Sequence, residues 1–141
     1  MPRRFIDASV FVHAYLRPRR ALKPHERAIK GHARTIVARI EHEEEVAIST
    51  VHLGEIANVL EEWMRAEDAR AVLRELVTRD NIEVLPVGRD DFLEAMSLGS
   101  EAGAGTTDAL AAVLMGIKGI TEIYSFDRAF DRVEGLNRIT R

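Results

Sequence analysis

The sequence predicts an α/β fold with a mostly parallel central sheet of about five strands flanked by helices. Three observations lead there. Short apolar runs of strand length, Val46–Ser49, Ile82–Leu85 and Ile120–Tyr124, alternate with longer segments whose apolar residues recur at helical spacing. Gly, Pro and charged clusters separate these segments without forming a linker between domains. Acidic residues follow two apolar runs, Asp7 after Phe5-Ile6 and Asp127 after Ile123-Tyr124, and open α/β sheets bind ligands outside the carboxyl ends of their strands.

The elements follow in order. Arg4-Phe5-Ile6-Asp7 is an apolar run too brief to classify alone, and Val10–Leu16 is a mixed segment stopped by Arg17-Pro18-Arg19-Arg20, where proline cannot continue a helix interior. From Pro24 to His42, Ile29, Ala33, Ile36, Val37 and Ile40 recur at helical spacing, and Glu43-Glu44-Glu45 marks an exposed end. Ser49 or Thr50 caps the next helix by accepting orphan backbone N–H bonds. Its inward stripe is read as His52, Ile56, Val59, Leu60 and Trp63, with Glu55 at the border. Leu60, Trp63 and Met64 are read as core, with a docking groove or a dimer face as the alternative. A helix over Ala66–Thr78, the breaker Pro86, a helix around Asp90–Glu101 and the turn Gly103-Ala104-Gly105 follow. Thr106 or Thr107 is expected to cap the very apolar helix beginning at Ala109, and Asn137–Ile139 to form a short fifth strand.

A chain of 141 residues with 46% apolar and 30% charged residues suits one soluble globular domain over 1–141. The absence of cysteine excludes disulfides and thiolate zinc sites. The N-terminal segment lacks a signal-peptide core, and no apolar run approaches the roughly 20 residues that cross a bilayer, so a cytoplasmic protein without membrane contact is expected. The net charge of −3 hides an asymmetry: residues 1–40 carry ten Lys/Arg against two Asp/Glu, the remainder ten against twenty-one. A basic first third points to a polyanion near that end or to an exposed basic helix face.

Four acids stand where an apolar run ends or a helix begins: Asp7, Glu55, Asp108 and Asp127. Each alone has an ordinary explanation. Asp7 suits a helix cap, Asp108 complements a helix macrodipole, Glu55 suits an exposed flank and Asp127 a turn. Gathered together they would repel by roughly 3 kcal/mol per pair at about 5 Å and an effective dielectric near 20. Such a cluster raises its own pKa values or takes a cation, and an all-oxygen site favours Mg²⁺ or Mn²⁺. Those ions activate water for phosphodiester hydrolysis.

Four segments carry a family resemblance. Phe5-Ile6-Asp7-Ala8-Ser9-Val10 resembles the opening strand and turn of PIN-domain nucleases. Ser49–Glu55 resembles their strand-to-helix segment with its glutamate, and Thr107-Asp108-Ala109-Leu110-Ala111-Ala112 their third motif. Ser125-Phe126-Asp127-Arg128-Ala129-Phe130-Asp131 is similar to their Ser/Thr-x-Asp-x-x-Phe segment. The order and rough spacing agree over nearly the whole chain, whose size is similar to that of VapC-type toxins of toxin–antitoxin pairs. The resemblance implies a three-layer PIN-like fold and a metal-dependent endoribonuclease. In it Asp7, Glu55, Asp108 and Asp127 act as catalytic residues and hold Mg²⁺ or Mn²⁺. It further implies an RNA substrate, a small antitoxin partner and a homodimer.

The stretch Arg17 to Gly31 is longer and more basic than in many relatives. Arg17, Arg19, Arg20, Lys23, Arg27 and Lys30 are candidates for phosphate contact. Asp131, one helical turn beyond Asp127, is expected to face solvent; Ser9 and Ser125 are read either as donors that orient carboxylates or as local turn and cap residues. His52 is read as a packed or polar-bonded residue; no His-Glu-x-x-His motif or phosphate-cradling glycine loop occurs. The rival reading is a catalytically weak PIN-like subunit that binds RNA or protein.

Overall fold

The computed structural model describes residues 3–141; Met1 and Pro2, which open the N-terminal segment lacking a signal-peptide core, lie outside the described residues. The strands are β1 (Arg4–Ile6), β2 (Val46–Ser49), β3 (Ile82–Leu85), β4 (Glu122–Tyr124) and β5 (Asn137–Ile139). They form one sheet in the order β3-β2-β1-β4-β5, with every neighbouring pair parallel. The expected α/β class and mostly parallel sheet are therefore found.

Six α-helices join the strands among the described residues: α1 (Ala8–Tyr15), α2 (Pro24–Glu41), α3 (Thr50–Trp63), α4 (Ala66–Thr78), α5 (Arg89–Ala102) and α6 (Thr106–Lys118). No helix is long and apolar enough to cross a membrane among the residues described. The mixed segment Val10–Leu16 resolves into α1, whose last carbonyls, on His13, Ala14 and Leu16, are taken by the Lys30 ammonium.

Strand side chains alternate between two cores, as the period of two requires. Ile6, Val46, Ile48 and Tyr124 face the layer of α1 to α4, while Phe5, Ala47, Leu85 and Ile123 face α5 and α6. The result is three layers. Because both sheet faces are covered, the inner strand β2 reads as a nearly continuous apolar run.

Chain direction across the sheet reverses beside β1. β1, β2 and β3 step one way, and the chain then returns through α5 and α6 to place β4 on the other side of β1. This switch point lies between the carboxyl ends of β1 and β4, where Asp7 and Ser125 follow their strands.

Several local expectations change. Trp63 is 59% exposed and not core: α3 buries His52, Leu53, Ile56 and Leu60, and Met64, the residue after the helix, packs against that core instead. Neither Thr106 nor Thr107 caps α6, because both already lie inside the helix; extended Gly105 takes the cap position. Glu44 is drawn out of the exposed acidic run to accept a 3.0 Å hydrogen bond from the Tyr124 hydroxyl. Ser49 does cap α3, accepting from the His52 backbone N–H at 3.1 Å.

Candidate active site

The four acids arrive at the switch point from four elements. Asp7 follows β1 and is nearly fully buried. It stands at the cap position of α1 without a side-chain cap bond, so helix capping does not explain it. Glu55 lies one turn into α3, Asp108 in the first turn of α6, and Asp127 after β4 ahead of a short 3₁₀ turn at Arg128–Arg132.

The charges that act on Asp108 and Glu55 come from the other acids, so the fold brings the four near one another. Asp108 is pushed up to about 7, first by burial, then by the negative charges of Asp127, Asp7 and Glu55 and by a hydrogen bond with Asp127. Glu55 is raised as well, by burial and then by Asp7, with Thr107 opposing and Asp127 adding. No cation enters among the groups acting on either carboxyl. Like charges crowded in a partly desolvated pocket are held there by the surrounding fold at a cost to the charged state.

Serines set the geometry where β1 and β4 end. The Ser125 hydroxyl donates to Asp7 Oδ2 at 2.8 Å and accepts from the Asp127 backbone N–H at 3.0 Å. One side chain thus fixes both a carboxylate and the peptide that carries another. The Ser9 hydroxyl lies 3.4 Å from that of Ser125 and accepts from the Phe126 N–H at 3.2 Å. Ser125 does both, bonding the turn and orienting Asp7, while Ser9 holds the Phe126 N–H and has no carboxylate partner among the described residues. The Asp127 side chain accepts from the Ala129 N–H at 2.9 Å through Oδ1, which leaves Oδ2 for the pocket.

The outer residues separate cleanly. Asp131 is exposed and forms a two-bond pair with Arg138, at 2.9 and 3.1 Å, so it faces away from the cluster. In the basic segment, Lys30 is committed to the end of α1, and Arg20 holds Glu26 through two bonds of 2.8 and 2.7 Å. Arg17, Arg19 and Lys23 remain exposed on that side of the molecule.

Sequence reasoning assigned no role at the acids to Thr107. Its hydroxyl favours the ionised form of Glu55, and its backbone lies beside the His52 ring. The signal was its place directly before Asp108, misread as a cap because the helix start was set too late.

The donor set fits a hard divalent cation. It offers carboxylate oxygen from four elements, the hard donor such an ion takes. As placed, no three of these side chains among the described residues make a closed ligand set.

Comparison with known proteins agrees with this architecture. The chain is similar to the crystal structure of Mycobacterium tuberculosis VapC20, described as a sarcin-ricin loop cleaving toxin. There the TM-score is 0.70 at 21% identity, covering 94% of this chain and 95% of that one. It is also similar to Rickettsia felis VapBC2 bound to a DNA fragment from its promoter, with TM-score 0.63 at 15% identity over 96% of each chain. For DNA-bound VapBC from Salmonella typhimurium the TM-score is 0.64 at 18% identity, over 99% and 98% of the two chains. Comparison with curated proteins gave no match. At these identities the structures speak for the fold alone. The PIN domain model, however, matches residues 4–136, from the first strand to the entry of the last, and the chain belongs to the PIN domain family.

Proposed function

We propose that this chain is a metal-dependent endoribonuclease, acting as the toxin of a VapBC-type toxin–antitoxin pair. The observation that carries the reading is the convergence of Asp7, Glu55, Asp108 and Asp127 near the switch point of the sheet, where burial first and then the charges of Asp7 and Asp127 raise Glu55 and Asp108. A fold gains no stability from four such acids. Their convergence has a purpose when a cation shares them.

Asp7, Glu55, Asp108 and Asp127 would hold Mg²⁺ or Mn²⁺. Once bound, such an ion supplies an acidified water and neutralises charge developing on a phosphodiester. The chain's own residues do the positioning. Ser125 locks Asp7 and the Asp127 backbone together, and Ala129 pins one oxygen of Asp127. Arg17, Arg19 and Lys23 are available to phosphates of a single-stranded RNA loop, whose unstacked bases suit a cleft. A small antitoxin, a homodimer, a cytoplasmic setting and a single domain over 1–141 complete the proposal. They are supported by family membership and by the complexes in which the Rickettsia and Salmonella proteins crystallised.

The test is cleavage of mixed RNA with Mn²⁺ or Mg²⁺, with chelator, and with Asp7→Asn. Cutting that needs the ion and vanishes in Asp7→Asn, while the variant stays folded, supports the enzyme. Undiminished cutting by Asp7→Asn sinks it. Tight RNA binding without cutting turns the assignment toward a binding subunit.

A further inference from the structure

Ser49, His52 and Glu55 form a line of side chains on the first turns of α3, running from the buried end of β2 toward the acids. His52 is fully buried, its ring packed edge-on against Phe5 at 5.2 Å between centroids and 78° between planes. The Ser49 hydroxyl accepts from the His52 backbone N–H at 3.1 Å and lies 2.5 Å from His52 Nδ1. Nε2 is turned toward acceptors, Glu55 Oε1 and the Thr107 backbone, so the ring hydrogen belongs there and the Ser49 hydroxyl is the donor to Nδ1. Burial favours the neutral ring.

Nε2 faces Glu55 Oε1 at 4.0 Å. Neither atom has a hydrogen-bond partner among the described residues, although both are buried. An orphaned buried donor and an orphaned buried acceptor are each unfavourable, and a small rotation of Glu55 would satisfy both at once. The competing acceptor is the Thr107 backbone, which lies beside the ring on the facing helix.

We propose that His52 is a positioning residue: the Ser49 hydroxyl steadies its ring at Nδ1, and its Nε2–H holds Glu55 Oε1, leaving the other glutamate oxygen for the acidic cluster. The inference deepens the nuclease reading and rests on it for the importance of Glu55. The contact itself does not depend on that reading. An imidazole three residues before the acid fixes the carboxylate from its protein side, as partners of metal-binding carboxylates do elsewhere.

The experiment uses the full chain, ¹⁵N-labelled and metal-free, with histidine ring resonances assigned through His52→Gln. The expected spectrum shows His52 as the Nε2–H tautomer, with an Nε2 resonance that moves clearly in Glu55→Gln. An Nδ1–H tautomer, or an Nε2 resonance indifferent to Glu55→Gln because its proton goes to Thr107, overturns the proposal. A second readout is Mn²⁺ binding followed by electron paramagnetic resonance. His52→Phe keeps the ring shape and should bind Mn²⁺ about 10–100-fold more weakly, the range seen when such outer partners are removed. His52→Gln, whose amide still donates toward Glu55, should recover most of that loss. Equal Mn²⁺ affinity in wild type and His52→Phe overturns the positioning role. If wild type neither binds Mn²⁺ nor cuts RNA, the nuclease reading falls, while the ring spectrum still decides the His52–Glu55 contact.

Discussion

The Ser125 hydroxyl donates to Asp7 Oδ2 at 2.8 Å across 118 residues of sequence, joining the ends of β1 and β4. The bond is buried and charge-assisted, so it holds Asp7 in one rotamer where the strand order reverses. Ser125→Ala removes the donor and also the acceptor of the Asp127 N–H. Cleavage and Mn²⁺ affinity should fall about 10–100-fold. Stability should fall by about 1–3 kcal/mol, as buried groups lose their partners. RNA cleavage rates and urea unfolding check the two effects separately.

Asp108 makes the metal-free protein sensitive to pH. Its folded pKa, about 7, lies above the ordinary value of 3.8, so between those values the folded chain keeps a proton that the unfolded chain has lost. Stability therefore falls as pH rises from about 4 to about 7, and Glu55, also raised, adds in the same direction. Asp108→Asn should flatten this slope and leave the chelator-treated protein more stable than wild type at neutral pH. Thermal unfolding across that range in chelator measures it; an unchanged slope would show that the acids are not crowded.

Divalent cations should reverse the penalty. An ion bound only by the folded state stabilises it by about 2.7 kcal/mol at 100 times its Kd. Mn²⁺ is expected to raise the Tm of wild type and to have little effect on Asp7→Asn. Scanning calorimetry with and without Mn²⁺ distinguishes specific binding from a general salt effect, for which Ca²⁺-free NaCl at matched ionic strength is the control.

Gly99 governs where α6, and with it Asp108, begins. A Cβ at Gly99 would lie 2.8 Å from the Ala104 carbonyl oxygen and 3.6 Å from the Ala109 side chain. Glycine in a helix ordinarily gives way to alanine with a gain of about 1 kcal/mol. Here backbone has no room to yield, since the Ala104 N–H is itself bonded to the Gly99 carbonyl at 3.0 Å. Gly99→Ala should destabilise by about 1–3 kcal/mol, the range for overpacking, and weaken Mn²⁺ binding by shifting Asp108. Denaturant midpoints and metal titration provide the check.

The fold class was legible because the strands are short, apolar and separated by helical periods, so burial on both faces is written into composition at each run. β2, β3 and the α2, α3, α4 helices lie within a residue or two of where periodicity puts them. β1 and α1 were not decidable locally: three strand residues and eight helical ones carry too little pattern, and neighbours in space settle them. Trp63 shows the same limit from the other side. Helical spacing allotted it to the buried stripe, but whether a neighbour covers the last turn of a helix is not a property of that helix.

The sequence by itself determined the alternating architecture and the two strand-end acids, since these follow from period and side-chain polarity. Only the tertiary structure decided that Asp108 and Glu55 feel Asp7 and Asp127, that Ser125 serves Asp7, and that Lys30 caps α1 instead of facing solvent. The physical reason is sequence separation. Charge repulsion and side-chain hydrogen bonds act over a few ångströms, and strand order brings distant residues within that range.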